Sequence, residues 1–253
     1  MQEEKEEQLL IKRIQEMAKA AYYKNILNHT DFLNLNEISI VHSLRKDLPK
    51  IDYEFYGGFE GSERQMFFLK GNDYSLEYSD YIHCIYITPL HKKFSDKLTH
   101  RDFLGAILNL GIQRSKIGDI VTKDTQAYVF CTSSISEFII THLERIKHTN
   151  VKCSLVNLDQ AVFKPNFIEI TGSISSNRLD SLISLALKTS RSKILPLISA
   201  GKVFVNGRLI QSNSYQVKED EVISIRGQGK FIYKGVLGHS KKGKIRVLLM
   251  KYN

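Results

Sequence analysis

The sequence predicts an α+β chain in three parts: a small α/β unit over 1–75, an alternating β-α-β-β-α-β unit over 76–165, and a basic segment of paired helices and hairpins over 166–253. Three observations predict it. Apolar residues recur with helical spacing in some windows and as short strand-length runs in others. In the middle of the chain these runs fall in the alternating order. Positive charge gathers at one end: from Gly172 to Asn253 there are 15 Lys and Arg against 4 Asp and Glu, whereas the first 171 residues hold 21 against 23.

In the first part, Leu10, Ile14, Met17, Ala18 and Ala21 recur at helical spacing among Lys and Glu, which predicts a helix from Glu3 to Tyr23. A second helix is expected from Asn36 to Leu48, stopped by Pro49. "IDYEFYGGFEGSER" then reads as a strand, a glycine turn and an exposed loop, and "QMFFLK" as a short strand.

The middle part opens with a buried strand at "YIHCIYITPL", where His83 and Cys84 read as core residues. A helix follows from Thr99 to Leu110, with Thr99 and Asp102 spaced as a capping box, Leu104, Ile107 and Leu108 as its packing face, and Gly111 as its stop. Capping and surface charge account for His100-Arg101-Asp102 better than catalysis does. Strands at "GDIVT" and "QAYVFCT", a helix at "SISEFIITHLERI" and a strand at "VKCSLVNL" complete a split ferredoxin-like, RRM-like order. That fold hosts many unrelated functions.

The basic part begins with a strand at "FIEITGSI". In "NRLDSLISLALK", Leu179, Leu182, Ile183, Ala186 and Leu187 fall on one helical stripe. Thr189-Ser190 offers a cap for a second, shorter helix, whose Ile194, Leu197 and Ile198 face the first and which Gly201 ends. Pro196 lies inside it, where proline costs about 3 kcal/mol unless the helix kinks or starts late. "KVFVNGRLI" is a hairpin on an Asn206-Gly207 turn, "VISIRG" a strand, and the remainder a longer hairpin with a basic tip. Arg191 and Lys193 sit in the first turn of the second helix, where they oppose the helix dipole, so helix stability alone would not select them. Free N–H groups and cations together suit a phosphate there, and Lys202 and Arg208 extend the basic stripe.

Composition excludes several classes. No apolar run approaches the ~18 residues of a membrane span, and the acidic start "MQEEKEEQ" is no secretory signal. Cys84, Cys131 and Cys153 are odd in number, far apart and set in apolar runs, so they read as buried thiols of a reducing compartment. No zinc-protease, P-loop, nucleophile-elbow or dinucleotide motif is present. The charge asymmetry points to a polyanion, nucleic acid before membrane.

"SNRLDSLIS", "TSRSKILPLISAGKVFVNGRLI" and "VISIRGQGK" resemble the RNA-binding domain first named from ribosomal protein S-four. That resemblance implies that Arg178 and Ser190-Arg191 face RNA; the usual Gly-Asp before the strand is Asp220-Glu221 here. "LTHRDFLGAILNLGIQRSKIGDI" and "GGFEGSER" extend the likeness to the YlmH family over essentially the whole chain. The candidate RNA-binding set is Arg178, Asp180, Ser190, Arg191, Ser192, Lys193, Lys202, Asn206, Arg208, Arg226, Lys230, Lys241 and Lys242, with Arg101, Arg114 and Lys116 as a secondary RNA or protein contact. The family resemblance implies a cytoplasmic, ribosome-associated monomer without enzymatic activity, cofactor, metal or membrane. It would bind large-subunit rRNA and peptidyl-tRNA and support alanine tailing of stalled nascent chains with a tailing elongation factor. Two other readings remain open: a general rRNA-binding or assembly factor, and a pseudouridine synthase-like enzyme, whose R-L-D motif "NRLDSLIS" echoes at Asp180.

Overall fold

The computed structural model describes residues 2–71, 74–91, 93, 95–157, 167–239 and 243–252, with side chains from residue 4 onward. The chain divides into two compact units, 1–164 and 165–253. The first begins with α1 (Gln2–Lys24), β1 (Asn28–His29), α2 (Leu35–Ser43), β2 (Asp52–Tyr56) and β3 (Met66–Lys70). Asn34 caps α2 in a capping box with Glu37, and a 3-10 turn at Leu44–Lys46 tightens its end. The helix expected to run to Leu48 is therefore shorter and finishes in another geometry. β3 lies between β1 and β2 and alternates strictly: Phe67 and Leu69 pack on Ile14, Ala18 and Val41, while Met66 and Phe68 point to the opposite core.

The same unit continues with β4 (Ile82–Pro89), α3 (His100–Leu108), β5 (Ile117–Lys123), β6 (Gln126–Thr132), α4 (Ser133–His142), β7 (Arg145–Ile146) and β8 (Thr149–Val156). The sheet order β5-β6-β4-β8-β7 is antiparallel throughout and contains the expected ferredoxin-like arrangement. Ile85, Ile87, Val129, Cys131 and Val151 face Phe103, Ile107 and Ile139 of the two helices. The helix expected over "SISEFIITHLERI" stops at His142. Leu143 leaves helical geometry (ψ 85°), and Arg145 and Ile146 pair with Asn150 and Thr149 across a turn in which Lys147 has φ 53°. Cross-strand pairing wins over the helical apolar spacing there.

The segment expected as an exposed loop is packed. Gly57, Gly58 and Ser62 are buried, Phe59 lies 4.9 Å from the ring of Phe130, and the amides of Glu63 and Arg64 donate to Asp119. Gly58 holds φ +102°, and a Cβ there would meet Phe130 at 2.2 Å, so this turn needs a glycine.

The second unit contains β9 (Phe167–Ile174), α5 (Leu179–Ala186), α6 (Arg191–Ser199), β10 (Val203–Val205), β11 (Arg208–Leu209), β12 (Val222–Ile225), β13 (Gly229–His239) and β14 (Ile245–Tyr252). Its sheet runs β11-β10-β12-β13-β14-β9. Leu179, Leu182, Ile183 and Ala186 of α5, with Ile194 and Ile198 of α6, form one core with Val203, Ile223, Phe231 and Leu249. Pro196 is exposed within α6 without ending it. The N–H it lacks would have bonded Ser192, which is in the exposed first turn, where water can meet the carbonyl. Asn206 (φ 48°) and Gly207 (φ 77°) give the two positive φ values of a type I′ turn.

Candidate nucleic-acid interface

Arg178 occupies the cap position of α5, with extended backbone, and its guanidinium forks back onto Asp180: Nε donates to Oδ1 and Nη2 to Oδ2, each at 3.1 Å. The Asp180 side chain is 5% exposed and that of Arg178 35%, so a buried carboxylate aims a cation that reaches solvent. Ser181 also donates to Asp180 Oδ1, at 3.3 Å. Arg191, the first residue of α6, donates through Nη2 to Ser181 Oγ and, at 3.0 Å, to Ser175 Oγ. Arg178, Asp180, Ser181 and Arg191 thus form one network that ties the starts of both helices. A guanidinium carries five N–H donors; the two bonds each arginine makes here leave the others for an anion. Asp180 offsets the charge of Arg178, so the net positive charge at this face comes from Arg191 and exposed Lys193.

Ser190 takes the expected cap position of α6 but makes no side-chain cap bond; its hydroxyl meets Ser192 Oγ at 2.9 Å instead. The first-turn amides of α6 therefore carry no serine cap beside two cations. That arrangement suits a phosphate oxygen.

The remaining basic residues are spread along the sheet. Antiparallel register puts Lys202 and Arg226 together at one end of β10, where the Arg226 amide donates to the Lys202 carbonyl at 2.9 Å. The Asn206 turn lies at the other end, next to Val222. Asn206 Oδ1 accepts the Val222 amide at 2.8 Å, so that side chain is engaged in holding the turn, while Arg208 is exposed on the edge strand β11. Lys230 lies on β13. Lys241 and Lys242 lie outside the described residues. Asp220 takes the left-handed conformation (φ 64°), and Glu221 accepts from Tyr215 Oη at 2.9 Å and the Lys218 amide at 2.9 Å.

Of the secondary set, Arg101 is exposed on α3, whereas Arg114 and Lys116 serve contacts within the unit. Arg114 donates to the carbonyls of Ile117 and Gly118, and burial followed by its neighbour Arg64 lowers its pKa to about 10. Lys116 pairs with Asp31 at 2.8 Å. Asp102 accepts from the Thr99 amide at 2.8 Å and the Thr99 hydroxyl at 2.7 Å. Lys147 first, then Thr99, hold its carboxyl down to about 2. His83 meets Ser136 Oγ at 2.7 Å, and the three cysteines are buried and free, burial pushing Cys84 up to about 12 and Cys153 to about 11. On the sheet face away from α3 and α4, Ile82, Cys84 and Phe130 are buried against Phe32, Met66 and Phe68, so much of the face that RRM-type sheets offer to RNA is occupied.

Sequence reasoning missed Ser175 and Ser181, the hydroxyls that hold Arg191. Their neighbourhood depends on how β9 meets the two helices, and no local spacing encodes it.

Residues 77–160 match the family model described as "Putative RNA-binding domain in YlmH", and residues 177–223 match the S4 domain. The chain is 28% identical over 247 residues to "Ribosome-associated protein quality control protein P2" of Bacillus subtilis, covering 96% of this chain and 94% of that protein. The solved structure of "Cell division protein ylmH from Streptococcus pneumoniae" shares the fold with a TM-score of 0.51 at 20% identity, over 62% of this chain and 95% of that one. Residues 77–160 thus carry a domain of the YlmH type and residues 177–223 an S4 domain, and the chain is similar along nearly its whole length to a protein named for its ribosome association.

Proposed function

We propose that the chain is a non-catalytic RNA-binding factor of the large ribosomal subunit, which grips structured rRNA and adjoining peptidyl-tRNA through the starts of α5 and α6. In that role it would hold peptidyl-tRNA while a tailing elongation factor supports alanine addition to a stalled nascent chain. One observation carries the reading: buried Asp180 aims Arg178, and two serine hydroxyls hold Arg191 beside an α6 start without a serine cap. Such a surface contacts phosphate and backbone shape more than base edges. The whole-length likeness to a quality-control protein named for its ribosome association supports the choice of RNA. Sedimentation of tagged protein from cells tests it. Co-migration with free large subunits carrying peptidyl-tRNA is expected; migration only with assembly precursors would replace it with an assembly role. An altered uridine-modification map in a deletion strain would restore the enzymatic alternative.

A further inference from the structure

The turn from Arg226 to Lys230 borders an open groove of about 450 Å³ in the second unit, lined also by Phe204, Ser224 and Tyr252. Phe204, Ser224 and Lys230 lie in one cross-strand row, and Tyr252 follows Lys251, the partner of Phe231, so it continues that row onto β14. Neighbouring strands are about 4.8 Å apart. Ser224 and Lys230 thus lie between two aromatic side chains, Phe204 on one side and Tyr252 on the other. Each ring carries a cation: Arg226 Cζ lies 4.8 Å from the Phe204 centroid and Lys230 Nζ 5.5 Å from that of Tyr252. Gly227 and Gly229 hold φ of +78° and +112°, and a Cβ at Gly227 would meet nothing within 4 Å, so the turn leaves the groove mouth open.

Aromatic faces and guanidinium planes are what an unstacked base lies on, and nearby cations are what its phosphate needs. The volume falls in the range of small-ligand sites. The 15-to-4 excess of basic over acidic residues after residue 171 favours an anionic occupant. We propose that this groove takes one unstacked nucleotide of single-stranded RNA, its base against the Phe204–Arg226 pair and its phosphate toward Lys230. The proposal rests on the RNA-binding reading above and adds to it a base-stacking subsite, which the arginine and serine network of α5 and α6 lacks.

The chain contains no tryptophan, so Phe204→Trp creates a single reporter in the full-length protein. Titration with a twelve-residue oligouridylate is expected to quench that tryptophan as RNA binds. Phe204→Leu, shown folded by an unchanged urea midpoint, is expected to bind the oligomer about ten-fold more weakly, with the salt dependence unchanged. Binding without a tryptophan signal, or wild-type affinity in Phe204→Leu, overturns the subsite. Quenching by free uridine monophosphate as strong as that by the oligomer assigns the groove to a free nucleotide and also overturns it. If structured RNA still binds in an Arg191-dependent manner in those cases, the function proposed above stands. Failure to bind any RNA removes both.

Discussion

On the proposed reading, alanine at Arg191 is expected to separate RNA contact from folding, and alanine at Arg178 is not. Arg191→Ala removes two hydroxyl contacts. Ser175 is exposed and rehydrates, and Ser181 keeps Asp180 as a partner, so the expected loss of stability is below about 1 kcal/mol. Arg178→Ala instead leaves the carboxylate of Asp180, 5% exposed, without its forked cation. Breaking a fully buried pair costs ~3–5 kcal/mol; because Arg178 is partly solvated, about 2 kcal/mol is expected here. For RNA, an arginine that neutralises one phosphate contributes about 0.7–0.9 to the slope of log affinity against log salt. A charged hydrogen bond of about 1.5 kcal/mol corresponds to roughly ten-fold in affinity. Arg191→Ala is therefore expected to lower both slope and affinity by about those amounts at an almost unchanged urea midpoint. The double variant with Arg178→Ala should fall further in affinity while remaining folded at room temperature. Anisotropy titrations with a large-subunit rRNA fragment at several salt concentrations, alongside urea denaturation, measure both. A slope and affinity equal to wild type in Arg191→Ala would refute the phosphate-facing assignment, and a wild-type midpoint in Arg178→Ala would refute the structural role of the pair.

Two predictions concern the first unit. Gly58→Ala places a methyl at 2.2 Å from the buried ring of Phe130 on a backbone of φ +102°, and should destabilise by about 3 kcal/mol, whereas helical Gly105→Ala meets nothing within 4 Å and should stabilise by ~0.5–1 kcal/mol. Urea midpoints of the full chain decide this, and equal midpoints for the two variants would contradict it. The Asp102 carboxyl is held at about 2 against an ordinary 3.8, so its contribution is present above pH 4 and is lost as pH falls from about 4 toward 2. Asp102→Asn should accordingly show a shallower fall of the urea midpoint over that interval, and superimposable acid limbs would exclude the Lys147 and Thr99 interactions as the cause.

Much of the architecture was legible because local rules and tertiary packing agree. The stripe of Leu179, Leu182, Ile183 and Ala186 is a helical face, and it does pack as one. The Asn206-Gly207 turn needs two positive φ values, which that dipeptide supplies more readily than most. Asp220 stands in the left-handed region, as a short polar side chain allows. Disagreement arises where distant chain decides. Glu144, Arg145 and Ile146 continue a plausible helical pattern, yet pairing with β8 draws Arg145 and Ile146 into a strand. The loop 57–64 has the glycine content of a solvent loop, yet Asp119 and Phe130, more than fifty residues away, bind and bury it.

For the candidate site the division is similar. Residue type and position along the helices determined that Arg178, Arg191 and Lys193 stand at helix starts, because capping, dipole and charge act within one turn. Tertiary structure alone decided that Asp180 is buried under Arg178, that Ser175 and Ser181 hold Arg191, and that Arg114 and Lys116 serve contacts within the fold. It also brought Phe204 and Tyr252 into one row with Ser224 and Lys230. Burial and hydrogen-bond partners depend on which strands and helices meet, and those meetings join residues that no local spacing relates.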